Sequence, residues 1–310
     1  MTTTAAAPDQ APARRGSLVP APLLVLGGVV SVQLGAALAK QLFPRLGAQG
    51  TVTLRLACGA LLLWLAVRPT RRVLAALDLR LTLAFGAVLA TMNLSFYLAI
   101  ARIPLGVAVA LEFVGPLAVA LVGARRLREL GAAVLAAVAV LLLTGGAGLT
   151  SGDARLDPAG IGLALVAGVC WAAYIVLSGR VGAATPGLAG IAAAATVAGV
   201  LLLPVGIATA GARLLEPGAL AVGAGVGLLS AALPYGLELV ALRTLPAGTF
   251  AVLMSLEPAV GAVTGFAVLH ERLAPAEITG VLLVCVASIA ATRGRARADA
   301  GTPDAGYSGA

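Results

Sequence analysis

Residues 104–121, PLGVAVALEFVGPLAVAL, place an acidic side chain, Glu112, inside an apolar stretch long enough to cross most of a lipid bilayer. Residues 246–263, PAGTFAVLMSLEPAVGAV, do the same with Glu257, 145 residues later. Burying a carboxylate at membrane depth costs at least about 2.5 kcal/mol, so such residues usually face a cavity, a charged partner or a proton path. The two stretches predict a duplicated membrane protein with a polar centre, in which each glutamate occupies the same place in its half of the chain.

Composition supports a membrane protein. Of the 310 residues, 60% are hydrophobic and 11% are charged, whereas soluble domains contain roughly 25% charged residues. One water-soluble core could not bury that much apolar surface. Lipid can solvate the outer faces of a bundle of membrane-spanning helices. We therefore expect an all-α polytopic membrane protein.

Charge and cysteine content indicate neither a nucleic-acid-binding protein nor a protein held together by zinc or disulfides. The net charge of +8 comes from basic residues in short connections between apolar segments, and no basic face alternates with aromatic residues, so we expect no nucleic-acid partner. Cys58, Cys170 and Cys285 lie singly in apolar segments, and their spacing fits neither a zinc site nor a disulfide framework. We expect small buried side chains there, no metal site and no cofactor.

Ten apolar segments have roughly the length of a spanning helix. They are 18–40, 51–68, 80–100, 105–123, 130–149, 160–178, 187–209, 218–240, 246–269 and 275–292. Residues 1–17 and 293–310 are rich in small and polar residues without periodicity, which predicts disordered cytoplasmic tails.

The amino terminus permits a second interpretation. Arg14 and Arg15, followed by an apolar run and Ala37-Leu38-Ala39, loosely resemble a cleavable signal peptide. The run is longer than a usual signal sequence, and its removal would leave nine segments and unequal halves. We therefore expect the first segment to remain in the protein.

Basic residues in the loops predict the orientation, because cytoplasmic loops are enriched in Lys and Arg. With the amino terminus inside, the inner loops and tails hold most of them, including Arg71, Arg72, Arg125, Arg126 and Arg128. Both termini are then cytoplasmic, as an even number of spans requires.

Division near Gly152 gives two repeats of five helices, 18–150 and 151–292. An odd number of helices per repeat inverts the second copy relative to the first, which is a transporter architecture with its site at the repeat interface near the midplane. Pro104 and Gly106 before Glu112 echo Pro246 and Gly248 before Glu257. The alternative is that duplication preserved a pattern that has no use.

Further polar side chains are candidates for the site. Gln33, Ala36, Ala37 and Lys40 form one stripe of the first helix, which suits a cavity wall, although Lys40 can also extend to the membrane interface. Arg55 can hold a carboxylate in a bidentate contact or extend outwards in the same way.

Aromatic residues and prolines add to this set. Asn93 and Tyr97 share a face of the third helix, and Trp171 and Tyr174 lie mid-segment, where they either shape a cavity or pack between helices. Pro116 and Pro258 release backbone carbonyls that are tolerated only against protein or water; both lie close to the glutamates. By contrast, we interpret Glu238 as part of an interfacial ion pair with Arg243, and His270-Glu271-Arg272 as a solvated cluster at a helix end.

Several of these motifs resemble the EamA-type transporters of the drug/metabolite transporter superfamily, and especially their threonine and homoserine exporter branch. The resemblance covers about 18–292 and rests on residues 104–121, on 31–44, on Thr53-Leu54-Arg55-Leu56, on 170–174, on Leu256-Glu257-Pro258 and on His270-Glu271-Arg272. Arg126-Leu127 stand where the first repeat would carry an equivalent of Glu271-Arg272, so a symmetrical role for that pair is in doubt.

The resemblance implies a ten-helix inverted-repeat carrier of the cell inner membrane. It would export small metabolites, with amino acids such as threonine or homoserine as the leading candidates and proton coupling as a further expectation. Arg55 or Lys40 would meet the substrate carboxylate. Glu112 would bind the substrate ammonium, while Glu257 would serve structure or coupling. Export of drugs or other small metabolites is the alternative, and a membrane-embedded enzyme is a remote one because the sequence offers no plausible catalytic base at membrane depth.

Overall fold

The structure is a computed structural model that describes residues 20–75, 77–122, 127–144, 156–185, 188–242 and 244–299. These residues form helices and short connections, with no strand among them. The predicted all-α class is therefore confirmed. The predicted tails fall largely outside the described residues. The last helix continues to Asp299, past the boundary expected at 292.

Thirteen α-helices are present in the described parts of the chain. They are α1 (Ala21–Val67), α2 (Arg71–Ala75), α3 (Leu79–Ile100), α4 (Leu105–Glu112), α5 (Val114–Leu121), α6 (Leu127–Leu143), α7 (Pro158–Ala184), α8 (Ala189–Ala210), α9 (Pro217–Gly227), α10 (Leu233–Ala241), α11 (Ala247–Met254), α12 (Glu257–Leu269) and α13 (Pro275–Asp299). A 3₁₀ turn, Gly211–Leu215, follows α8, and a π-helical turn, Leu228–Ala232, joins α9 to α10.

The first two predicted segments form one helical run, α1, instead of two helices joined by a loop. Gly47 interrupts the run with φ 69° and ψ 169°, a conformation that glycine adopts without steric cost, and Pro44 lies just before it. The interruption divides α1 into a first arm, 21–46, and a second arm, 48–67.

Two further apolar segments are broken in the middle, and proline explains both breaks. Pro116 has no N–H to donate to the carbonyl of Glu112, four residues earlier, and α4 ends at Glu112. Pro258 stands in the same relation to Met254, where α11 ends. Each break therefore leaves a backbone carbonyl without its helical partner in the middle of the bundle.

The sequence predicted that Glu112 and Glu257 occupy the same place in each half of the chain, and the bounds of α4 and α11 show that they do not. A shift of 142 residues superimposes Pro104 on Pro246 and Pro116 on Pro258, and it superimposes both ends of α4 on those of α11. The same shift places Glu112 on Met254 and Glu257 on Gly115. When the two segments are aligned in this way, the glutamates lie on opposite sides of the break, about one helical turn apart.

The helices are long and apolar enough for a multi-pass membrane protein. Seven candidate spans are found in the described residues, one of them the whole of α1, together with two shorter apolar helical stretches, Leu105–Leu121 and Leu130–Leu143. Large apolar side chains such as Leu61, Val169 and Phe266 are exposed on the outside of the bundle, where lipid can solvate them.

Helix α4 occupies the centre of the bundle. Every residue from Leu105 to Glu112 is buried, and α4 packs against α12 on one side and α7 on the other. Close contact with α7 depends on small residues: a Cβ added to Gly115 would lie 1.8 Å from the Gly168 carbonyl oxygen, and one added to Gly168 would lie 2.7 Å from the carbonyl oxygen of Glu112. Glycine at both positions brings α7 against the broken helix.

We expect Gly168→Ala to lower the free energy of unfolding by about 1–3 kcal/mol, because the new methyl group would overlap backbone that cannot move freely. The measurement is the temperature at which the detergent-solubilised protein loses its monodisperse peak in size-exclusion chromatography. Gly162→Ala on the same helix is the matched control, since nothing lies within 4 Å of its added Cβ. Equal thermal stability of the two variants would contradict the close approach of α7 to α4.

Candidate functional site

A cavity of about 200 Å³ lies between the helices, beside the broken segments. Its walls come from α1, α3, α4, α7, the π-helical turn, α10, α11 and α12. Seven of the nine side chains that the sequence nominated line this cavity: Gln33, Arg55, Asn93, Glu112, Trp171, Tyr174 and Glu257.

Glu112 and Glu257 reach the cavity from different helix ends. Both are buried, with 8% and 6% of their surface exposed. Glu257 is in the first turn of α12, where the positive end of the helix dipole stabilises a negative charge. Glu112 is the last residue of α4, so it lacks that stabilisation from its own helix. The side-chain amide of Gln33 donates a hydrogen bond to Glu257 Oε1, at 3.3 Å.

Arg55 extends from the second arm of α1 into the same space. Its Nη1 donates to Asn93 Oδ1, and its Nη2 donates to the backbone carbonyl of Ser230 at 3.4 Å. Asn93 is itself fixed, because its amide donates to the Leu89 carbonyl at 2.8 Å. The guanidinium group is therefore held inside the bundle, and Arg55 does not extend to the membrane interface.

The aromatic residues of α7 form one wall. Trp171 meets Phe113, the residue at the break after α4, edge to face with ring centroids 5.4 Å apart. Tyr174 packs against Phe85 of α3 with centroids 5.0 Å apart. Both rings are fixed by neighbouring rings and line the cavity, so they serve packing and cavity shape together.

Tyr97 was nominated for the site but does not line the cavity. It is 2% exposed, and its ring lies 5.7 Å from the Arg55 guanidinium carbon. A cation over an aromatic face is attracted by the ring quadrupole. Tyr97 therefore stabilises the Arg55 guanidinium group from outside the cavity, because its ring is packed between the helices.

Lys40 also lies away from the cavity. Its Nζ forms an ion pair with Glu271 Oε1 at 2.5 Å, and the other oxygen of that carboxylate accepts a hydrogen bond from the Leu105 backbone N–H at 2.7 Å. Glu271 thus connects α1 to the N-terminus of α4 through the segment that follows α12. The interpretation of Glu271 as part of a solvated cluster was wrong, because its side chain is only 13% exposed and has two partners.

Three functional candidates escaped the sequence reasoning: Ser230, Tyr235 and Glu238, which all line the cavity. Glu238 had been assigned to an interfacial pair with Arg243, a residue outside the described part of the chain. Glu238 also lies in an apolar segment, as Glu112 does, so it carries the same cost of burial at membrane depth. No sequence signal marks Ser230, because the π-helical turn that carries it depends on packing.

The cavity contains a surplus of acidic groups. Three carboxyl groups, from Glu112, Glu238 and Glu257, and one guanidinium group, from Arg55, belong to the side chains that line it. Unbalanced charge in a water-poor space is costly. The cavity is therefore suited to ligands that bring positive charge, as an ammonium group or as protons.

We expect Lys40→Met to lower the free energy of unfolding by about 1–3 kcal/mol, because it leaves the largely buried Glu271 carboxylate with the Leu105 amide as its remaining hydrogen-bond donor. Thermal stability in detergent provides the measurement. Arg272→Met, which changes an exposed neighbouring cation, is the control. If both variants melt at the same temperature, the ion pair does not stabilise the protein.

Comparison with known proteins identifies the family. Residues 158–293 match the EamA-like transporter family. The chain is 43% identical over 271 residues to the threonine/homoserine exporter RhtA of Escherichia coli (strain K12), covering 87% of this chain and 90% of that protein. The RhtA protein of Salmonella typhimurium (strain LT2) gives the same identity and coverage.

The fold is also present among solved structures. One crystal structure of a protein aligns with 90% of this chain and 98% of its own, with a TM-score of 0.60 and 16% sequence identity; that likeness concerns the fold alone. Identity of 43% over most of both chains shows a common family, as the sequence motifs predicted. The chain belongs to the EamA-like transporter family.

Proposed function

We propose that this protein is a secondary transporter that exports small amino acids, with threonine and homoserine as the leading substrates, by alternating access. The relatives named as threonine/homoserine exporters are 43% identical to it. The observation that carries the proposal is the cavity, whose lining side chains include both a guanidinium group and carboxyl groups. An amino-acid zwitterion offers the complementary carboxylate and ammonium groups.

Ten spans in two inverted repeats, 18–150 and 151–292, are part of the proposal. Helix α1 has 47 residues, about 70 Å at 1.5 Å per residue, so its two arms can each cross a hydrocarbon core of about 30 Å. With the two arms counted separately and the two shorter apolar stretches included, the described residues contain ten candidate spans.

Helix packing supports the inverted repeats. If the repeats are related by a two-fold axis, helices with equivalent positions pack against each other across that axis. The second arm of α1 packs against α8, and α6 packs against α13. The fourth span, α4 with α5, packs against the ninth, α11 with α12, through α4 and α12. Each of these contacts joins spans that have equivalent positions in the two repeats. The packing of α3 on α7 is likewise matched by that of the first arm of α1 on α10.

The size of the cavity favours a small substrate. Pockets for drug-sized ligands are roughly 300–1,000 Å³, and this cavity is about 200 Å³. An amino acid with a short side chain fits that space better than a drug. Export of drugs or other metabolites remains the second candidate, to be separated by comparing toxic amino-acid analogues with cationic dyes.

The cavity residues divide the work in this proposal. Arg55 binds the substrate carboxylate through charge-assisted hydrogen bonds. Of the three carboxyl groups, one binds the substrate ammonium and another carries a coupling proton. The ammonium and the proton together would balance the negative charge that exceeds the charge of Arg55. Trp171 and Tyr174 shape the space around the substrate.

We expect proteoliposomes that contain the protein to transport labelled homoserine or threonine faster when a pH gradient is imposed. Glu112→Gln and Glu257→Gln should each lower the initial rate at least about tenfold, the equivalent of ~1.4 kcal/mol, because each removes an ionisable group from the cavity. The measurement is the initial rate for a panel of radiolabelled amino acids, with and without the gradient.

Glu216→Gln is the control for these variants, since Glu216 is exposed at the start of α9, away from the cavity. Wild-type rates in both cavity variants would refute a central role for the carboxyl groups. Transport of dyes with no transport of amino acids would favour the second candidate function.

The proposal places the protein in the cell inner membrane with both termini in the cytoplasm, as the basic loops indicate. Green fluorescent protein fused to the C-terminus should fluoresce, and alkaline phosphatase fused there should be inactive. Phosphatase fused after Glu216, in a predicted outer loop, should be active. The reverse pattern of reporter activity would show that both termini lie outside the cytoplasm.

A further inference from the structure

Four buried polar atoms on the side chains that line the cavity have no hydrogen-bond partner among the described residues. They are Arg55 Nε, Ser230 Oγ, Gln33 Oε1 and Glu257 Oε2. A buried polar atom without a partner has lost its hydrogen bonds to water and gained none in return, and native proteins keep few such atoms. Their concentration around one cavity indicates that a ligand completes the missing hydrogen bonds.

Two of these atoms are hydrogen-bond donors, and they belong to residues in contact. Arg55 Nη2 donates to the backbone carbonyl of Ser230 at 3.4 Å, so the free Nε–H of Arg55 lies near the residue that carries the free Ser230 hydroxyl. The Nε and Nη2 atoms form the edge with which a guanidinium group grips a carboxylate bidentately. We refer to Arg55 and Ser230 as the donor wall.

The other two atoms are acceptors, and a hydrogen bond joins their side chains. The Gln33 amide donates to Glu257 Oε1 at 3.3 Å, which leaves Gln33 Oε1 and Glu257 Oε2 unpaired. Both residues are at least nine-tenths buried. Two neighbouring acceptors suit a group that carries several hydrogens, and an ammonium group has three. We refer to Gln33 and Glu257 as the acceptor wall.

We propose that the substrate binds in one orientation, with its α-carboxylate on the donor wall and its α-ammonium on the acceptor wall, and that Ser230 is a substrate-binding residue. The inference rests on the proposed function and deepens it. It assigns the ammonium group to Glu257, whereas the sequence had favoured Glu112. The first turn of α12 supports this assignment, because its dipole stabilises the negative charge that an ammonium group seeks.

The position of Ser230 depends on the π-helical turn Leu228–Ala232 and on its contact with α1. The Ser31 hydroxyl donates to the Leu229 carbonyl at 2.7 Å, which fixes the turn against the first arm of α1. A Cβ added to Gly35 would lie 2.3 Å from Ser230 Oγ, so glycine there leaves the space that the hydroxyl occupies. Single π-helical turns of this kind often occur at functional sites.

Three related ligands separate the two walls. Homoserine carries both charged groups, γ-hydroxybutyrate is homoserine without its amine, and propanolamine is homoserine without its carboxylate. Binding to the full-length protein in detergent can be followed by fluorescence, because Trp171 lines the cavity. The chain has two tryptophans, so Trp64→Phe, made away from the cavity, leaves Trp171 as the single reporter.

We expect Ser230→Ala to weaken homoserine and γ-hydroxybutyrate binding about tenfold, in line with the loss of a hydrogen bond to a charged group, and to leave propanolamine unchanged. Glu257→Gln should weaken homoserine and propanolamine binding by a similar factor and leave γ-hydroxybutyrate unchanged. Ser178→Ala and Glu216→Gln, both away from the cavity, should leave all three affinities unchanged.

Other outcomes would overturn the orientation. If Ser230→Ala weakens all three ligands equally, Ser230 acts on folding or bound water and not on the carboxylate. If Glu257→Gln leaves every affinity unchanged at constant pH and abolishes only gradient-driven transport, the acceptor wall holds a proton and not the substrate ammonium. If the wild-type protein binds neither homoserine nor threonine, the proposed substrate is wrong, and the orientation is then tested with the α-amino acid of the panel that does bind.

Discussion

The structure depends on one constraint, which is that polar groups cannot be left against hydrocarbon. Pro116 and Pro258 each release a backbone carbonyl in the middle of an apolar segment, and Glu112 and Glu257 each bring a carboxyl group to the cavity. All four features lie where α4, α11 and α12 meet the rest of the bundle, and the apolar side chains are turned outwards. Around the cavity these polar groups contact protein or the cavity interior in place of lipid.

The helices around the cavity are positioned by small residues and by long-range polar contacts. Gly115 and Gly168 bring α7 against the broken helix, so that Trp171 and Tyr174 form a wall. Glu271 connects Lys40 to the first amide of α4. These contacts join elements that are far apart in the sequence, and together they fix the positions of Arg55, Glu112 and Glu257 relative to one another.

Prediction from the sequence was most direct where one charged residue carried an energetic penalty that a partner or a cavity had to offset. Glu112, Glu257 and Arg55 are charged side chains in apolar segments, and all three line the cavity. It left two environments open for Lys40, which pairs with Glu271 outside the cavity, and it assigned Glu238, which lines the cavity, to the interface. It also equated the two glutamates, because a spacing of 145 residues hides the shift of 142 that aligns the prolines and the helix ends.

The sequence by itself determined the class of protein and the family, since composition and apolar segment length set the solvent of the outer faces and the motifs are local. It also determined that carboxyl groups lie at the centre. Tertiary structure alone decided which atoms remain unpaired there. Unpaired atoms are found on Arg55, Ser230, Gln33 and Glu257. Whether such an atom has a hydrogen-bond partner depends on residues far apart in the chain, and helix packing, not the local sequence pattern, brings those residues together.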